Sequence, residues 1–266
     1  MLQLKHIEKT FNPGTVNEKR ALTDLNLDLK DGDFATIVGS NGAGKSTMFN
    51  AITGAFYVDE GQIILDGEDI TYKKEYLRSH EIGHLFQDPL RGTAPGMTIE
   101  ENMALAYLGA KTMRNQYFSR INKADKEKFR EQLALLDMGL EDRMKQPVGL
   151  LSGGQRQALT LLMATMVTPK ILLLDEHTAA LDPATAAKVL ALTRQIIAER
   201  KITALMVTHN MHQALELGNR TLMMDAGSII FDVSGAEREK LTVDDLLEKF
   251  KENAGRQLDN DRILTS

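Results

Sequence analysis

Apolar and polar residues alternate through much of the first third of the chain. In "LQLKHIEK" (residues 2–9) and "LTDLNLDLK" (22–30) the apolar residues fall mostly at every second position, which is the period of a half-buried β-strand. The run "FATIV" (34–38) is almost entirely apolar, as is typical of a strand buried on both faces. The turn sequences "KDGD" (30–33) and "LDGED" (65–69) separate such runs. The pattern predicts paired strands and one fully buried strand.

From about residue 98 to residue 165 the apolar residues follow a helical spacing instead. The segment "TIEENMALAYLGA" (98–110) opens with Thr98 and Glu101 three positions apart, the arrangement of a capping box. The segment "KADKEKFREQLALLDM" (123–138) places Phe129, Leu133 and Leu136 on one side of a charged helix. We therefore expect a helical region in the middle of the chain.

Buried strands return in the last third of the chain. The run "ILLLD" (171–175), a helix from Pro183 to about Lys201 and the run "ALMVTH" (204–209) follow one another, and this order predicts a parallel sheet. The segment "TLMMDAGSIIFD" (221–232) predicts a hairpin over "DAGS". In the tail, 233–266, Thr242 and Asp245 are expected to cap a helix, and the polar end is expected to fray.

The composition limits the kind of protein. A chain of 266 residues, 42% hydrophobic and 26% charged, can form one large domain or a core with an appended piece. It has no cysteine, which excludes disulfides, zinc–thiolate sites and thiol catalysis. No apolar run approaches the ~20 residues of a membrane helix, and the charged start is unlike a secretory signal, so we expect a cytosolic chain. The net charge of −5 argues against a nucleic-acid partner.

The sequence "GSNGAGKST" (39–47) matches the phosphate loop G-x-x-x-x-G-K-[ST]. Its glycines let backbone N–H groups point at phosphate oxygens, and the helix that follows adds its positive end. Lys45 is expected to reach the β- and γ-phosphates, and the Ser46 hydroxyl to bind Mg²⁺. The predicted nucleotide-binding residues here are Gly39, Ser40, Asn41, Gly42, Ala43, Gly44, Lys45, Ser46 and Thr47.

Two acids end the apolar strand "ILLLDEH" (171–177). Asp175 is expected to face the Mg²⁺ beside the phosphate loop. An acid at the end of a buried strand is costly unless it has a role or a partner. Glu176 is therefore predicted to be the general base that activates water, and the alternative is an acid that interacts with a helix N-terminus near Thr178.

A second loop of small residues, "LSGGQ" (151–155), precedes a predicted helix. Its backbone amides and the Ser152 hydroxyl form another anion-binding helix start. The phosphate loop and the acid pair are already expected to bind one side of a nucleotide. A second anion-binding loop is therefore explained if it contacts the γ-phosphate of a nucleotide bound to another copy of the chain. The predicted residues of this loop are Ser152, Gly153, Gly154 and Gln155.

Taken in order, these motifs resemble the nucleotide-binding cassette of ATP-binding cassette (ABC) transporters. The resemblance runs over about residues 1–232 and takes in the phosphate loop, "LFQDP" with Gln87, the signature "LSGGQ" and the Asp175–Glu176 pair. The D-loop "AALD" with Asp182 and "VTHN" with His209 complete the series.

The resemblance implies roles for residues outside the phosphate loop. Gln87 is expected to touch Mg²⁺ and the attacking water, and His209 to hold the γ-phosphate and orient Glu176. Asp182 is expected to communicate across the dimer interface. Phe11 stands where the family usually has a tyrosine that stacks on adenine, and its ring keeps the stacking face. Residues 177–179, His-Thr-Ala, replace the common Pro-Thr-Ser, and we expect activity to survive that change.

The resemblance also implies the fold and the partners. We expect an α/β P-loop NTPase of the ABC ATPase type, with a mixed, mainly parallel β core, an antiparallel β subdomain and an inserted helical subdomain at about 88–165. Residues 233–266 would be a helical extension. Two copies, or one copy with a close relative, would bind two ATP molecules with Mg²⁺ head to tail and energise a separate membrane permease. The likeness favours a bacterial importer of an amino acid, with a hydrophobic or aromatic amino acid as the expected cargo. The cassette would work with an extracytoplasmic binding protein and lie at the cytoplasmic face of the membrane.

Other classes of protein stay open at this stage. A soluble ABC ATPase, such as an iron–sulfur assembly ATPase, shares the motifs, and so does the cassette of an exporter. A DNA-repair relative is disfavoured because no long heptad segment interrupts the chain. A nucleotide-binding protein without turnover is a third alternative.

Overall fold

A computed structural model describes residues 1–109 and 121–254. The strands, in chain order, are β1 (Leu2–Phe11), β2 (Lys19–Leu29), β3 (Phe34–Gly39), β4 (Glu60–Leu65), β5 (Glu68–Asp69), β6 (Ile82–Leu85), β7 (Ile171–Asp175), β8 (Thr203–Val207), β9 (Arg220–Asp225) and β10 (Ser228–Ser234). The helices are α1 (Lys45–Thr53), α2 (Glu75–Arg78), α3 (Ile99–Gly109), α4 (Lys123–Ala134), α5 (Gly153–Thr165), α6 (Pro183–Arg200), α7 (Met211–Glu216), α8 (Gly235–Arg238) and α9 (Val243–Ala254). Short 3-10 helices cover Pro89–Gly92 and Val148–Leu150.

The chain divides into two compact units, one drawn from Met1–Arg78 and Thr203–Ser266 and the other from Ser79–Ile202. In the first unit, β2, β1, β4 and β5 form an antiparallel sheet in that order. Leu2 and Leu4 of β1 are buried, as the alternating pattern predicts, and Ile7 is buried although it lies three positions after Leu4. The register of β1 against β2 shifts between Leu4 and Ile7, where His6 has a φ of 51°.

The same unit contains the buried strand that leads to the phosphate loop. Strand β3 pairs in parallel with β8 on one side and β9 on the other, and all six of its residues are buried. The pairing explains why this run is almost entirely apolar, because both faces and both edges of β3 are covered. Strands β9 and β10 form the predicted hairpin, and its turn uses Ala226 at φ 45° and Gly227 at φ 85°.

The second unit combines a parallel strand pair with helices. Strands β6 and β7 pair in parallel, with Ile82 opposite Ile171. Helices α3, α4 and α5 share one apolar core, in which Phe129, Leu133 and Leu136 are each at most 1% exposed, so the predicted apolar side is confirmed. Burying a side chain of this size contributes about 1.5–3 kcal/mol. Residues 110–120 of the predicted helical region lie outside the described residues.

Local helix signals in the sequence agree with the observed helix ends. Thr98 and Glu101 form the predicted capping box, with the Thr98 N–H donating to Glu101 Oε2 at 2.8 Å and the Glu101 N–H to Thr98 Oγ1 at 3.2 Å. The Thr242 N–H donates to Asp245 Oδ2 at 2.8 Å at the start of α9. The end expected to fray beyond Ala254 lies outside the described residues. Within residues 1–109 and 121–254, no helix is both long enough and apolar enough to cross a membrane.

Arg78, which is 1% exposed, ties the C-terminal end of α1 to the segment that precedes α2. Its Nη1 donates to Ala51 O at 2.7 Å and to Ile52 O at 2.8 Å, and its Nη2 donates to Thr71 O at 2.8 Å. The last carbonyls of a helix have no partner within the helix, and a positive charge there is favourable. Arg78 therefore stabilises the far end of the helix that begins at the phosphate loop.

Replacing Arg78 tests this role. In Arg78→Met the buried carbonyls of Ala51, Ile52 and Thr71 lose their donors, and each buried acceptor without a partner costs about 1–3 kcal/mol. We expect the free energy of unfolding in urea to fall by at least about 3 kcal/mol. The matched control, Arg130→Met, changes an exposed arginine of α4 and should change stability by about 0.5 kcal/mol or less. Equal losses in the two variants would contradict this role for Arg78.

Candidate functional site

The predicted site residues divide between the two units. The first unit contains Phe11, the phosphate loop 39–47 and His209, and the second contains Gln87, the signature 151–155, Asp175, Glu176 and Asp182. Each unit positions its own share of these residues through local structure.

The phosphate loop begins where β3 ends and leads directly into α1. Two of its glycines are required by close backbone approaches. A Cβ on Gly39 would lie 2.3 Å from Met224 O, and a Cβ on Gly44 would lie 2.7 Å from Ala21 O, while Gly44 also has a φ of 102°. Only glycine fits both positions, so the loop can approach its neighbours and turn its amides toward a ligand.

Lys45 is the first residue of α1 and is 6% exposed. Its Nζ donates to Gly39 O at 2.7 Å and to Ser40 O at 3.0 Å, so the ammonium group is held against the loop. The next residue, Ser46, is exposed, and the first N–H groups of α1 have no acceptor within the helix. Together these groups place several hydrogen-bond donors at a positive helix end, an arrangement that favours the binding of an anion.

Phe11 ends β1 and is half-buried. Its ring meets the ring of Phe56 edge to face, with centroids 5.3 Å apart and planes at 84°. The Lys9 Nζ lies 5.7 Å from the Phe11 centroid and 5.3 Å from the Phe56 centroid. The sequence analysis missed Phe56 and Lys9. The position of Lys9 two residues before Phe11, on the same face of the strand, was the available signal.

His209 follows β8 and immediately precedes the cap of α7. Asn210 caps this six-residue helix by accepting from the Gln213 N–H at 3.1 Å. At the other end, the guanidinium of Arg238 donates to Ala214 O at 3.0 Å and to Leu217 O at 2.5 Å. The start of the C-terminal extension therefore supports the helix that adjoins His209, a role that the sequence analysis left unassigned.

In the second unit, the signature forms the start of α5 as predicted. Ser152 caps the helix: the Gln155 N–H donates to Ser152 Oγ at 3.3 Å, and the Ser152 N–H donates to Gln155 Oε1 at 3.2 Å. The sequence analysis did not recognise this capping box, although Ser-x-x-Gln is its usual signal. Ser152 and Gly153 are exposed. The Ser152 hydroxyl proton and the amides of Gly153 and Gly154 remain as donors toward an anion.

Asp175 is the last residue of β7, and Glu176 follows it in a left-handed conformation with a φ of 44°. Such a conformation costs a residue other than glycine about 1–3 kcal/mol and concentrates at functional positions. The Ala179 N–H donates to Glu176 O at 3.0 Å and closes a turn. The next helix, α6, begins only at Pro183 with Asp182 as its cap. Glu176 is therefore not in the first turn of a helix, which disfavours the alternative role weighed for it.

Asp182 is exposed and accepts at Oδ1 from the Thr185 N–H at 3.1 Å, which caps α6. Hydrogen bonds from the side chain and the backbone of Thr185 hold the pKa of the Asp182 carboxyl below its usual value. Gln87 is exposed in the segment after β6. The neighbouring Asp88 caps the 3-10 helix Pro89–Gly92 by accepting from the Leu90 N–H at 2.9 Å.

His177 lies beside the two acids but is 2% exposed. Its Nε2 is 3.2 Å from Thr193 Oγ1 of α6. Burial lowers the pKa of His177 to about 4, so the ring is neutral at pH 7. Its Nδ1 is buried and has no hydrogen-bond partner among the described residues.

The donor atoms available to a metal suit Mg²⁺. The described residues contain no group of three or more histidine, cysteine or acidic side chains that could hold a metal ion. Mg²⁺ is usually bound by one or two protein oxygens together with phosphate oxygens, so it needs no such group. Hydroxyl, carboxylate and amide oxygens, which Ser46, Asp175 and Gln87 offer, are ligands of this kind.

Comparison with known proteins identifies the family. The sequence profile described as "ABC transporter" matches residues 22–179 of the chain. The chain belongs to the ABC transporter family. It is 44% identical to the tyrosine transport ATP-binding protein of Clostridioides difficile (strain R20291), over 94% of this chain and 99% of that protein. It is 34% identical to the phosphonates import ATP-binding protein PhnC of Lactobacillus johnsonii, over 92% of this chain and 95% of that protein.

Solved structures of ABC cassettes have the same fold. A dimeric, post-hydrolysis cassette, MJ0796, bound to ADP and Pi, matches with a TM-score of 0.74 at 28% identity, over 88% of this chain and 98% of that one. A nucleotide-free cassette matches with a TM-score of 0.74 at 27% identity, over 94% and 98%. The predicted α/β fold of the ABC ATPase type is therefore confirmed. The chain is an ATP-binding and ATP-hydrolysing subunit of an ABC transporter.

One contact of the cassette signature can be tested directly. Gly154 is buried, and a Cβ there would lie 2.0 Å from Thr185 Cγ2. Thr185 is β-branched and its N–H is bonded to Asp182, so it cannot turn aside easily. Gly154→Ala should lower the free energy of unfolding by about 1–3 kcal/mol. Adding Thr185→Ser, which removes Cγ2, should restore much of the loss.

The control for this pair of variants is Gly153→Ala. A Cβ on Gly153 would meet Leu181 Cδ2 at 3.4 Å, which is an ordinary contact. Its free energy of unfolding in urea should change by about 0.5 kcal/mol or less. A loss in Gly154→Ala that Thr185→Ser does not reduce would show that this contact is not the cause.

Proposed function

We propose that two copies of this cassette hydrolyse ATP as a head-to-tail dimer, each ATP lying between the phosphate loop of one chain and the signature of the other. The observation that carries the proposal is the exposed, capped start of α5. It is a second anion-binding helix end in a chain that already has a phosphate loop. The cassette MJ0796, 28% identical to this chain, is dimeric and bound to ADP and Pi, which supports a dimer as the nucleotide-binding form.

The phosphate loop is assigned to the nucleotide phosphates and Phe11 to adenine. The Lys45 ammonium group, which lies against the carbonyls of Gly39 and Ser40, would donate to a phosphate oxygen. Ser46, Gln87 and Asp175 are the proposed ligands of Mg²⁺. When bound, Mg²⁺ draws negative charge from the phosphate oxygens. The Phe11 ring would stack on the base, and Phe56 packs against it edge to face.

Glu176 is the proposed general base. Its carboxylate would accept a proton from water as the water oxygen bonds to the γ-phosphorus and the bond to the β-phosphate oxygen breaks, which releases ADP and phosphate. His209 would donate to the γ-phosphate and orient Glu176. In the dimer, the Ser152 hydroxyl and the amides of Gly153 and Gly154 would donate to the γ-phosphate held by the other chain. Asp182 would lie at the dimer interface.

The partners follow from the proposed role. We assign the cassette to an importer with a separate membrane permease and an extracytoplasmic substrate-binding protein, and we place it at the cytoplasmic face of the membrane. The domain boundaries proposed with this role are a cassette over 1–232, a helical subdomain at about 88–165 and an extension over 233–266. The cargo proposed is an aromatic amino acid, because a relative 44% identical to the chain is named a tyrosine transport protein.

Two variants separate ATP binding from the chemical step. Glu176→Gln removes the base but keeps the side-chain shape, so we expect hydrolysis to slow by at least ~10²-fold while ATP affinity is retained. Lys45→Ala removes the ammonium group from the phosphate loop, so ATP binding itself should weaken. Both are measured by phosphate release and by equilibrium binding of ATP. Unchanged turnover in Glu176→Gln would contradict the base assignment, and wild-type affinity in Lys45→Ala would contradict the phosphate site.

A hybrid dimer tests the exchange of signatures between chains. One chain carries Ser152→Arg and the other Lys45→Ala, each with its own affinity tag, so that only one composite site stays intact. We expect each variant alone to be inactive and the purified hybrid to hydrolyse ATP at about half the wild-type rate, because one of the two sites remains. A hybrid that dimerises but releases no phosphate would contradict the proposed arrangement.

A further inference from the structure

The residue after Glu176 is anchored to the middle of α6 by a buried hydrogen bond. His177 Nε2 is 3.2 Å from Thr193 Oγ1, and the two residues are 2% and 1% exposed. Thr193 Oγ1 in turn donates to Val189 O at 2.9 Å. A hydroxyl has one proton to donate, so the oxygen of Thr193 must accept from the Nε2–H of His177. The direction of the bond is thereby fixed.

The turn that contains Glu176 is held to α6 at both ends. At its start, His177 bonds to Thr193, and at its end Asp182 accepts from the Thr185 N–H at 3.1 Å. Between these points the Ala179 N–H donates to Glu176 O at 3.0 Å. Glu176 has a left-handed φ of 44°, which a residue other than glycine keeps only where its surroundings hold it.

We propose that His177 is a positioning residue: its hydrogen bond to Thr193 holds Glu176 in the orientation that its role as general base requires. The inference rests on the proposed role of Glu176 and adds a residue to it. His177 does not touch the reacting atoms in this scheme, and it acts only through the backbone of the residue before it.

If His177 only filled space, there would be no reason for its side chain to be polar. Both ring nitrogens of His177 are in a buried side chain, and Nδ1 has no hydrogen-bond partner among the described residues. Burying a polar atom without a partner is unfavourable. An apolar residue of the same size would fill the position without that penalty. The hydrogen bond from Nε2 is what the imidazole supplies and an apolar side chain lacks.

Helix α6 also contacts the signature of the same chain. Thr185, in its first turn, packs against Gly154, since a Cβ on Gly154 would lie 2.0 Å from Thr185 Cγ2. In the proposed dimer, the signature serves the ATP of the other chain, whereas Glu176 serves the ATP of its own. If His177 acts through Glu176, its substitution should slow hydrolysis of the ATP bound to the same chain. If it acts through α6 on the signature, its substitution should slow hydrolysis of the ATP bound to the other chain.

The test compares substitutions at both ends of the hydrogen bond. His177→Leu and Thr193→Val each remove one partner and should lower kcat for ATP hydrolysis by about 10- to 100-fold, with KM for ATP changed by less than about twofold. His177→Gln and Thr193→Ser keep a donor and an acceptor and should retain most of kcat. Thr165→Val is the matched control, since Thr165 is a buried helix threonine bonded to Leu161 O, and it should retain kcat.

Melting temperatures of all variants are recorded in parallel. If His177→Leu does not fold, the Thr193→Val and Thr193→Ser pair carries the comparison. One result would overturn the role of His177 and leave the proposed function intact. In that result His177→Leu and Thr193→Val both have the kcat of the control, while Glu176→Gln slows hydrolysis. Unchanged hydrolysis in Glu176→Gln would overturn both.

A merely structural role is distinguished by combining variants. In the Glu176→Gln background, His177→Leu should slow the residual hydrolysis by less than about twofold, because the group that it positions is already absent. A further 10-fold loss there would overturn the proposal. In the hybrid dimer, His177→Leu should slow hydrolysis when it is on the Ser152→Arg chain, whose phosphate loop is intact. An equal loss when it is on the Lys45→Ala chain would assign the effect to the signature and overturn the proposal.

Discussion

The function of this cassette depends on one interaction, the binding of a phosphate group by backbone N–H groups at the start of a helix. The first turn of any helix has such donors, and a phosphate group satisfies them while it gains from the helix dipole. The chain provides this arrangement twice. At α1 a glycine loop leads into the helix, and Lys45 is held against the loop carbonyls. At α5 a capping box takes the amides of Ser152 and Gln155 and leaves those of Gly153 and Gly154. Only the first end combines the helix start with a glycine loop and a lysine, so it offers an anion more donors than the second end does.

The opposite ends of the site helices in the first unit are stabilised by buried arginines. Arg78 binds the last carbonyls of α1, and Arg238 binds those of α7, the six-residue helix that follows His209. A helix of six residues is marginal in isolation, so its position depends on what holds its ends. A guanidinium suits this task because it spreads several donors in one plane and complements the negative helix end. In two separate segments of the unit, a buried arginine therefore stabilises the C-terminal end of a helix whose N-terminal end adjoins predicted site residues.

The sequence predicted those features whose cause lies within a few residues. The capping boxes at Thr98 and Thr242 and the hairpin over residues 225–228 follow from local chemistry, and the structure has each of them. It did not predict contacts such as Arg78 with Ala51 or His177 with Thr193, because nothing in either segment specifies a partner 16 or more residues away. The left-handed Glu176 was also unpredictable, since glutamate has no particular preference for that conformation. The motifs and the family resemblance predicted residues for the site but not the contacts that hold them.

The unfavourable backbone conformation of Glu176 depends on the rigidity of the residues around it. A residue with an unfavourable φ relaxes unless the atoms on both sides are fixed. The residue before it ends β7, whose first four residues are buried, and the residue after it is bonded to α6. These contacts lie entirely within the second unit, as the contacts that hold Lys45 lie entirely within the first. Glu176, the proposed base, and the phosphate loop are therefore each held in place by their own unit before any nucleotide binds. Binding then has to bring prepared groups to the phosphates rather than create their geometry, and less of its free energy is spent on ordering the protein.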